Sequence, residues 1–212
     1  QTPLTLIVGP IQKLSEVTNL SERNTKFIHM IQRNSSRLLF LTQQLLEFRK
    51  AEFDHIEVNV KNFDLVNLIE QIAELFDEWA IEKNISYSLD IPPVLLGWFD
   101  KDKIEKIVFN LMSNAFKYTP ENGKITLKFS IQDIGSEKLN ITITNTGKGI
   151  SKEESDSLFD QFFLAKLNTD ADNTMFRTGI GLAYVKKLIT ALRGEISISS
   201  QENVETTFTV LL

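Results

Sequence analysis

The sequence predicts an α+β fold in two domains, a helical hairpin at residues 1–53 followed by an α/β two-layer sandwich at residues 54–212. In the first region apolar residues recur at spacings of three and four, as they do along one side of a helix. In the second region, helical segments alternate with segments in which every second residue is apolar, which is typical of half-buried strands. Several of these strands are adjacent in sequence, so antiparallel pairs in a sandwich are favoured over a doubly wound parallel sheet.

The predicted hairpin consists of two amphipathic helices joined by a polar turn at 16–24. The apolar stripe of the first helix comprises Leu4, Ile7, Ile11 and Leu14, and that of the second Ile28, Ile31, Leu38, Leu41, Leu45 and Phe48. Two helices cannot bury stripes this broad against each other alone, whereas a four-helix bundle from two chains can. We therefore expect a homodimer through the hairpin; the alternative is that these helices pack on the second domain.

The second domain is predicted to contain four helices and six strands. The predicted order is a strand at 58–60, a helix at 63–79, a strand at 85–91, a helix at 100–115, strands at 125–131 and 139–143, helices at 151–159 and 180–192, and strands at 195–199 and 206–211. Asp64 and Asp100 are predicted N-caps, and Ser151 with Glu154 matches a capping box. A polar stretch at 166–177 is predicted to be a flexible loop.

Composition excludes several classes of function. The 212 residues include no cysteine, which excludes disulfides and thiolate metal sites. The net charge is -5, and acidic and basic residues are interspersed along the chain. The sequence has no concentrated basic stripe, so we do not expect it to bind nucleic acid. No segment has the ~18 consecutive apolar residues of a membrane span. Gln1 follows no signal-peptide pattern and is not a natural start, so we expect a piece of a longer protein.

Three polar or glycine-rich segments of the second domain suggest a phosphate site. Asn110, Asn114 and Lys117 lie at spacings of four and three, on one side of a predicted helix. An amide oxygen can bind Mg²⁺ and an ammonium can neutralise phosphate, although any amphipathic helix also has a solvated polar side. The stretch 145–150 follows a strand and has glycines at 147 and 149, while 178–183 places glycines at a helix start, where N–H groups can bind an anion.

Together these segments resemble the ATP-binding domain shared by histidine kinases, type II topoisomerases, heat-shock chaperone ATPases and mismatch-repair ATPases. Asn110–Tyr118 resembles the N box, Asn145–Ile150 the first glycine box and Thr178–Ala183 the second. Leu158–Phe163 resembles the F box of histidine kinases, and Thr2 begins a Thr-Pro-Leu-Thr stretch similar to the end of their H box. The resemblance covers nearly the whole chain and implies the catalytic core of a sensor histidine kinase, truncated just after the phosphoacceptor histidine.

The resemblance implies ATP and Mg²⁺ as cofactors and assigns roles by position. Asn114 would hold Mg²⁺, and Asn110, Lys117 and Tyr118 would contact the triphosphate or sugar. The adenine pocket would be formed by Asn145, Gly147, Gly149 and Ile150. The phosphates would be bound by Thr178, Gly179, Gly181 and Leu182 under a lid at 166–177, with Thr207 as a further contact. Thr2 matches the threonine associated in this family with dephosphorylating the partner's aspartate.

The chain departs from the family pattern at three places. The phosphoacceptor histidine would lie three positions before Gln1. We interpret the two histidines that are present, His29 and His55, as ordinary surface or junction residues. This chain is therefore expected to bind ATP without phosphorylating itself. Asn145 stands where the family usually has Asp; because charged hydrogen bonds contribute ~1.5–3 kcal/mol against ~1 for neutral ones, we expect weaker ATP binding. Glu205 replaces a glycine common in relatives, which weakens the case for a phosphate contact there.

Two functions follow from these motifs. The resemblance implies transfer of the ATP γ-phosphoryl group to a histidine and then to an aspartate of a response-regulator receiver domain. The alternative is a nucleotide-dependent dimeric switch, or pseudokinase, without phosphoryl transfer. The hairpin and F box argue against a water-using ATPase of the topoisomerase or chaperone type. By resemblance, the parent protein is expected to be membrane-anchored with this part in the cytoplasm.

Overall fold

The computed structural model describes residues 56–133, 137–160 and 180–212, together with seven single positions of the first region. These positions are all helical: Asn24, Ile28, Ile31, Ser35, Thr42, Leu46 and Arg49. The chain divides into two compact units, Gln1–Asp54 and His55–Leu212. Five of these positions fall within the predicted second helix of the hairpin, while Asn24 ends the predicted turn and Arg49 directly follows the last apolar residue assigned to that helix. The other residues of the predicted hairpin, including Thr2, lie outside the described residues.

The second unit consists of helices packed on a mainly antiparallel sheet. Its described helices are α1 (Val66–Glu74), α2 (Asp77–Glu82), α3 (Lys101–Tyr118), α4 (Lys152–Ser157) and α5 (Gly181–Ala191). Its described strands are β1 (Lys61–Asp64), β2 (Ser86–Asp90), β3 (Leu96–Phe99), β4 (Lys124–Asp133), β5 (Glu137–Thr146), β6 (Glu195–Gln201) and β7 (Glu205–Leu211). Five strands form one sheet in the order β2-β4-β5-β7-β6, in which only β2 and β4 are parallel, and β1 pairs with β3 separately.

The core lies between this sheet and the helices, because α3 contacts α1, α5 and β5, and α5 also contacts β6. Alternate residues of the strands face these helices and are buried: Ile125, Leu127, Phe129, Ile141, Ile143, Phe208 and Val210. Phe116 of α3 is fully buried and stacks on Phe76, with ring centroids 5.1 Å apart. Burial of each such side chain contributes about 1.5–3 kcal/mol, so the central position of α3 in this core is strongly determined.

Both predicted N-cap signals around α3 and α4 are confirmed. Asp100 is 3% exposed, and its Oδ1 accepts a hydrogen bond from Lys103 N at 3.1 Å while its Oδ2 accepts one from Asn59 N at 2.7 Å. Ser151 and Glu154 form the reciprocal capping box at the start of α4. The two-layer α+β architecture of this unit is therefore as the sequence predicts.

Two predicted elements differ from the structure, and one strand was missed. The single helix at 63–79 is two helices, because the chain turns at Leu75 and Phe76: Phe76 is buried against Phe116 while Leu75 is 62% exposed. Asp77 and Glu78 then occupy the first turn of α2, where acidic side chains favour a helix N-terminus. The strand predicted at 58–60 begins instead at Lys61, and its partner β3 was not predicted.

The start of α1 also differs from the prediction. Leu65 is the N-cap residue, and Asp64 is the last residue of β1. The carboxylate of Asp64 still serves the helix start, because its Oδ1 accepts hydrogen bonds from Val66 N at 3.1 Å and Leu95 N at 3.0 Å. It therefore joins the start of α1 to the segment before β3.

Candidate functional site

The helix α3 carries the predicted Asn110, Asn114, Lys117 and Tyr118 on its last three turns. Asn110 is buried, and its Nδ2 donates to Lys106 O at 2.7 Å. Asn114 and Lys117 are partly buried, and Lys117 Nζ lies 4.8 Å from the ring centroid of Tyr118. The regular helix places Asn110, Asn114 and Lys117 along one side, as their spacing predicts.

Asn145 is the polar last member of a row of buried side chains on β5. It follows Ile141 and Ile143 on the helix-facing side of the sheet, is 5% exposed, and lies opposite Ile125 of β4 and Thr206 of β7. Its Nδ2 donates to Thr146 O at 3.2 Å. The amide therefore retains its oxygen as an acceptor, which is the function that the usual aspartate would have at this position.

The first glycine segment is held between the end of α3 and the β6–β7 turn. A Cβ on residue 147 would lie 2.7 Å from Tyr118 O, so only glycine allows this close approach to the helix end. Gly149 has φ +68°, and a Cβ there would meet Gln201 O at 2.5 Å. The backbone N–H groups of Gly147 and Ile150 donate to Val204 O at 3.1 Å and Ser200 Oγ at 2.9 Å. The structure therefore brings the segment 145–150 against Tyr118.

The second glycine segment is described from Ile180 onward, and Thr178 and Gly179 lie outside the described residues, as does the predicted lid at 166–177. Gly181 is the first residue of α5, and Leu182 is buried. The N-cap residue Ile180 has an apolar side chain that cannot accept hydrogen bonds from the first turn, and residues 181–184 include no acid. This helix start suits an anion, since it presents the positive end of the dipole and has no acidic residue in its first turn.

The structure separates Thr207 from the other predicted site residues. Its hydroxyl is 2.9 Å from that of Thr144, on the face of the sheet opposite α3 and α5. Thr206 instead is 5% exposed beside Asn145, and its Oγ1 is 2.8 Å from Ser200 Oγ. The sequence contained a signal for this arrangement, because Thr206 is in phase with the apolar Phe208 and Val210 along the strand.

Within the described ranges, no group of three or more His, Cys, Asp or Glu residues could hold a metal ion. Across the same ranges, no helix has the length and hydropathy needed to cross a lipid bilayer.

The chain is similar to known proteins over both units. The model of the histidine kinase-, DNA gyrase B- and HSP90-like ATPase family matches residues 99–212. All of the chain aligns with histidine kinase P4 of Formosa agariphila at 33% identity and with sensor histidine kinase WalK of Bacillus subtilis at 28%, and it spans 15% and 34% of their lengths.

Solved structures agree with this assignment. Full-length ShkA in complex with AMPPNP matches 99% of this chain with a TM-score of 0.76 at 25% identity, and the chain covers 42% of it. Histidine kinase ThkA in complex with the response regulator protein TrrA matches 99% with a TM-score of 0.66 at 26% identity, and the chain covers 57% of it. The predicted resemblance is confirmed: the chain belongs to the histidine kinase-, DNA gyrase B- and HSP90-like ATPase family, and its relatives along its whole length are sensor histidine kinases.

Proposed function

We propose that this chain is the catalytic core of a sensor histidine kinase, which binds ATP with Mg²⁺ and transfers the γ-phosphoryl group to a histidine and then to a response-regulator aspartate. The observation that carries the proposal is the close contact between Gly147 and the carbonyl of Tyr118. It joins two predicted nucleotide motifs that are separated in sequence. The AMPPNP complex of ShkA and the response-regulator complex of ThkA support the nucleotide and the partner.

The adenine base is bound at Asn145, the polar end of the row of buried side chains on β5. Asn145 Oδ1 accepts a hydrogen bond from the adenine amino group, and the buried Thr206 hydroxyl lies beside it. Gly147, Gly149 and Ile150 form the wall of the pocket, because their backbone is fixed between α3 and the β6–β7 turn. A neutral amide in place of a carboxylate weakens this contact while retaining its direction.

The phosphates lie between α3 and the start of α5. Asn110, Lys117 and Tyr118 contact the triphosphate or sugar, and Asn114 supplies the amide oxygen that holds Mg²⁺. When bound, Mg²⁺ neutralises phosphate charge and orients the γ-phosphoryl group. Gly181 and Leu182 present the amides of α5 to the phosphates, and we assign Thr178 and Gly179 to the same task. Rate enhancement then depends mainly on positioning and electrostatic stabilisation.

The assembly is a homodimer through the hairpin of the first unit. Ile31, on the predicted apolar stripe, and Leu46, beside it, are each 48% exposed in the single chain, which supports burial against a second copy. Thr2 acts in dephosphorylating the receiver aspartate, and the parent protein is membrane-anchored with this part in the cytoplasm. Chemical crosslinking or light scattering of the 212-residue chain tests the dimer directly.

Phosphoryl transfer is tested with a chain extended upstream to include the acceptor histidine. Incubated with labelled ATP, it should acquire an acid-labile phosphoryl group, and replacement of that histidine by Gln should abolish labelling. A dimeric nucleotide switch, which the neutral Asn145 modestly favours, would bind ATP and remain unlabelled. Binding without labelling would therefore refute the kinase proposal in favour of the switch.

The metal assignment is tested separately with Asn114→Ala. This substitution should abolish Mg²⁺-dependent binding of an ATP analogue, measured by calorimetry, while leaving the thermal transition in place. Asn67→Ala, the same change on an exposed part of α1, is the matched control and should leave binding unchanged. Persistent Mg²⁺-dependent binding by Asn114→Ala would refute the assignment.

A further inference from the structure

The C-terminal end of α3 lacks a backbone donor at one carbonyl. In a regular helix Phe116 O would accept a hydrogen bond from the N–H of residue 120, but that residue is Pro120, which has none. Lys83 Nζ takes this place, at 2.8 Å from Phe116 O and 3.4 Å from Thr119 O. An ammonium at a helix C-terminus is favourable because it also neutralises the negative end of the helix dipole.

The turn that carries Lys83 is bound to the segment after α3 by further hydrogen bonds. Lys83 O accepts from Asn122 N at 3.1 Å, and Ser86 N donates to Gly123 O at 2.8 Å. Asn84 Nδ2 donates to Asn122 Oδ1 at 2.6 Å, and both asparagines have positive φ, at 51° and 62°. These two residues with left-handed backbone conformation thus lie next to each other. The backbone from which the Lys83 side chain extends is therefore held in a defined position.

The helix end that Lys83 holds is the one that meets the first glycine segment. Thr119 is 2% exposed, and its hydroxyl donates to Ala115 O at 2.6 Å. The neighbouring carbonyl, Tyr118 O, is the atom that approaches Gly147 too closely for a Cβ. A shift of a few tenths of an ångström at this end would change the spacing between Lys117 or Tyr118 and the adenine-pocket backbone.

We infer that Lys83 is a positioning residue for the nucleotide site, which acts by completing the C-terminal turn of α3 and setting its distance from Gly147. The inference rests on the proposed function, because it concerns the site at which ATP would bind. Lys83 acts through the backbone of α3 and is therefore not a catalytic residue. A lysine with a purely structural role would contribute to stability and leave the nucleotide affinity of the folded protein unchanged.

The experiment compares Lys83→Met with Lys83→Arg in the 212-residue chain, at a temperature where both are folded. Lys83→Met should weaken binding of an ATP analogue with Mg²⁺ by about tenfold, since a charge-assisted hydrogen bond to the helix end is lost. Lys83→Arg should restore most of the affinity, because a guanidinium can donate to both carbonyls. Lys128→Met is the matched control, since Lys128 pairs with Asp90 on the exposed face of the sheet, and should bind as the parent chain does.

The amide resonance of Gly147, recorded by NMR, provides a readout that does not need nucleotide. It should shift in Lys83→Met and return towards its original position in Lys83→Arg. A lowered melting temperature with unchanged affinity and an unshifted Gly147 amide would overturn the inference. If the parent chain itself bound no nucleotide, the proposed function would fail, and the Gly147 resonance would still decide whether Lys83 positions this end of α3. If Lys83→Met did not fold, Lys83→Gln, which keeps a shorter neutral donor, would replace it with the same expected shifts.

Discussion

The two ends of α3 are held by different kinds of contact. At its N-terminus Asp100, the residue directly before the helix, accepts a hydrogen bond from Lys103 N in the first turn. At its C-terminus the ammonium of Lys83, 33 positions before Phe116, takes the place of the donor that Pro120 lacks. A local contact of the first kind can be predicted from sequence, whereas a contact of the second kind depends on the fold that brings the turn and the helix together.

The N-terminal contact should give the largest effect when it is removed. Asp100→Ala leaves the N–H groups of Asn59 and Lys103 without their acceptor at a 3% exposed position, so we expect a loss of about 2–4 kcal/mol in the free energy of unfolding. Urea denaturation measures it. Asp102→Ala, two positions later on the exposed helix surface, should cost at most about 0.5 kcal/mol. Equal losses for the two variants would contradict the assigned cap.

The C-terminal end is tested next through its contact with the glycine segment. Gly147→Ala places a methyl group 2.7 Å from Tyr118 O, so it should separate the two motifs, cost about 1–3 kcal/mol and weaken ATP-analogue binding at least tenfold. Gly97→Ala in β3 also creates a close contact, with the ring of Phe99, but outside the nucleotide motifs. It should lower stability and leave affinity unchanged. Normal binding by Gly147→Ala would show that this spacing is unimportant.

Asn145→Asp adds a negative charge to the proposed adenine pocket while nearly preserving the shape of the side chain. We expect about tenfold tighter ATP binding, because a carboxylate accepts a stronger hydrogen bond from the adenine amino group. The same change should lower stability without nucleotide, since Asn145 is 5% exposed and its donor bond to Thr146 O would be lost. Calorimetry and thermal denaturation of one preparation measure both quantities. Unchanged or weaker affinity would refute the role given to Asn145.

The smallest effect is expected at Tyr87, whose ring packs edge-on against Phe116 near the C-terminal end of α3, at 5.5 Å. Its buried hydroxyl has no hydrogen-bond partner among the residues that the structure describes, and burial, followed by the nearby Asp77 charge, raises the pKa of Tyr87 above its usual value. Tyr87→Phe removes this unsatisfied group and should stabilise the fold by up to about 1 kcal/mol. A destabilisation above about 1 kcal/mol, measured by urea denaturation, would indicate that the hydroxyl has a partner.

The sequence predicts best what short-range signals determine. The caps at Asp100 and Ser151 were predicted because each depends on residues within three positions, and β4 and β5 because their apolar residues alternate. The break at Leu75 and Phe76 was missed because it depends on Phe116, forty positions later. Likewise β3 is formed by pairing with β1, and its four residues include Gly97, which weakens any strand signal.

The same distinction applies to the candidate site. Asn110, Asn114 and Lys117 were predicted to share one side of a helix from spacing alone, and the structure has that helix. The phase of β7 relative to the core places Thr206 beside Asn145 and Thr207 on the opposite face of the sheet, and the resemblance alone did not consider this phase. Lys83 was not singled out because nothing in its sequence neighbourhood distinguishes it from other turn lysines.

The carboxylate of Asp100 also connects two segments of the chain. Its Oδ2 holds the N–H of Asn59, in the stretch through which the chain enters the second unit, while Oδ1 holds the first turn of α3. Pulling the chain at residue 59 must therefore either break a 2.7 Å hydrogen bond or displace the start of that helix. A displacement of residue 59 is thus opposed by the same carboxylate that caps α3.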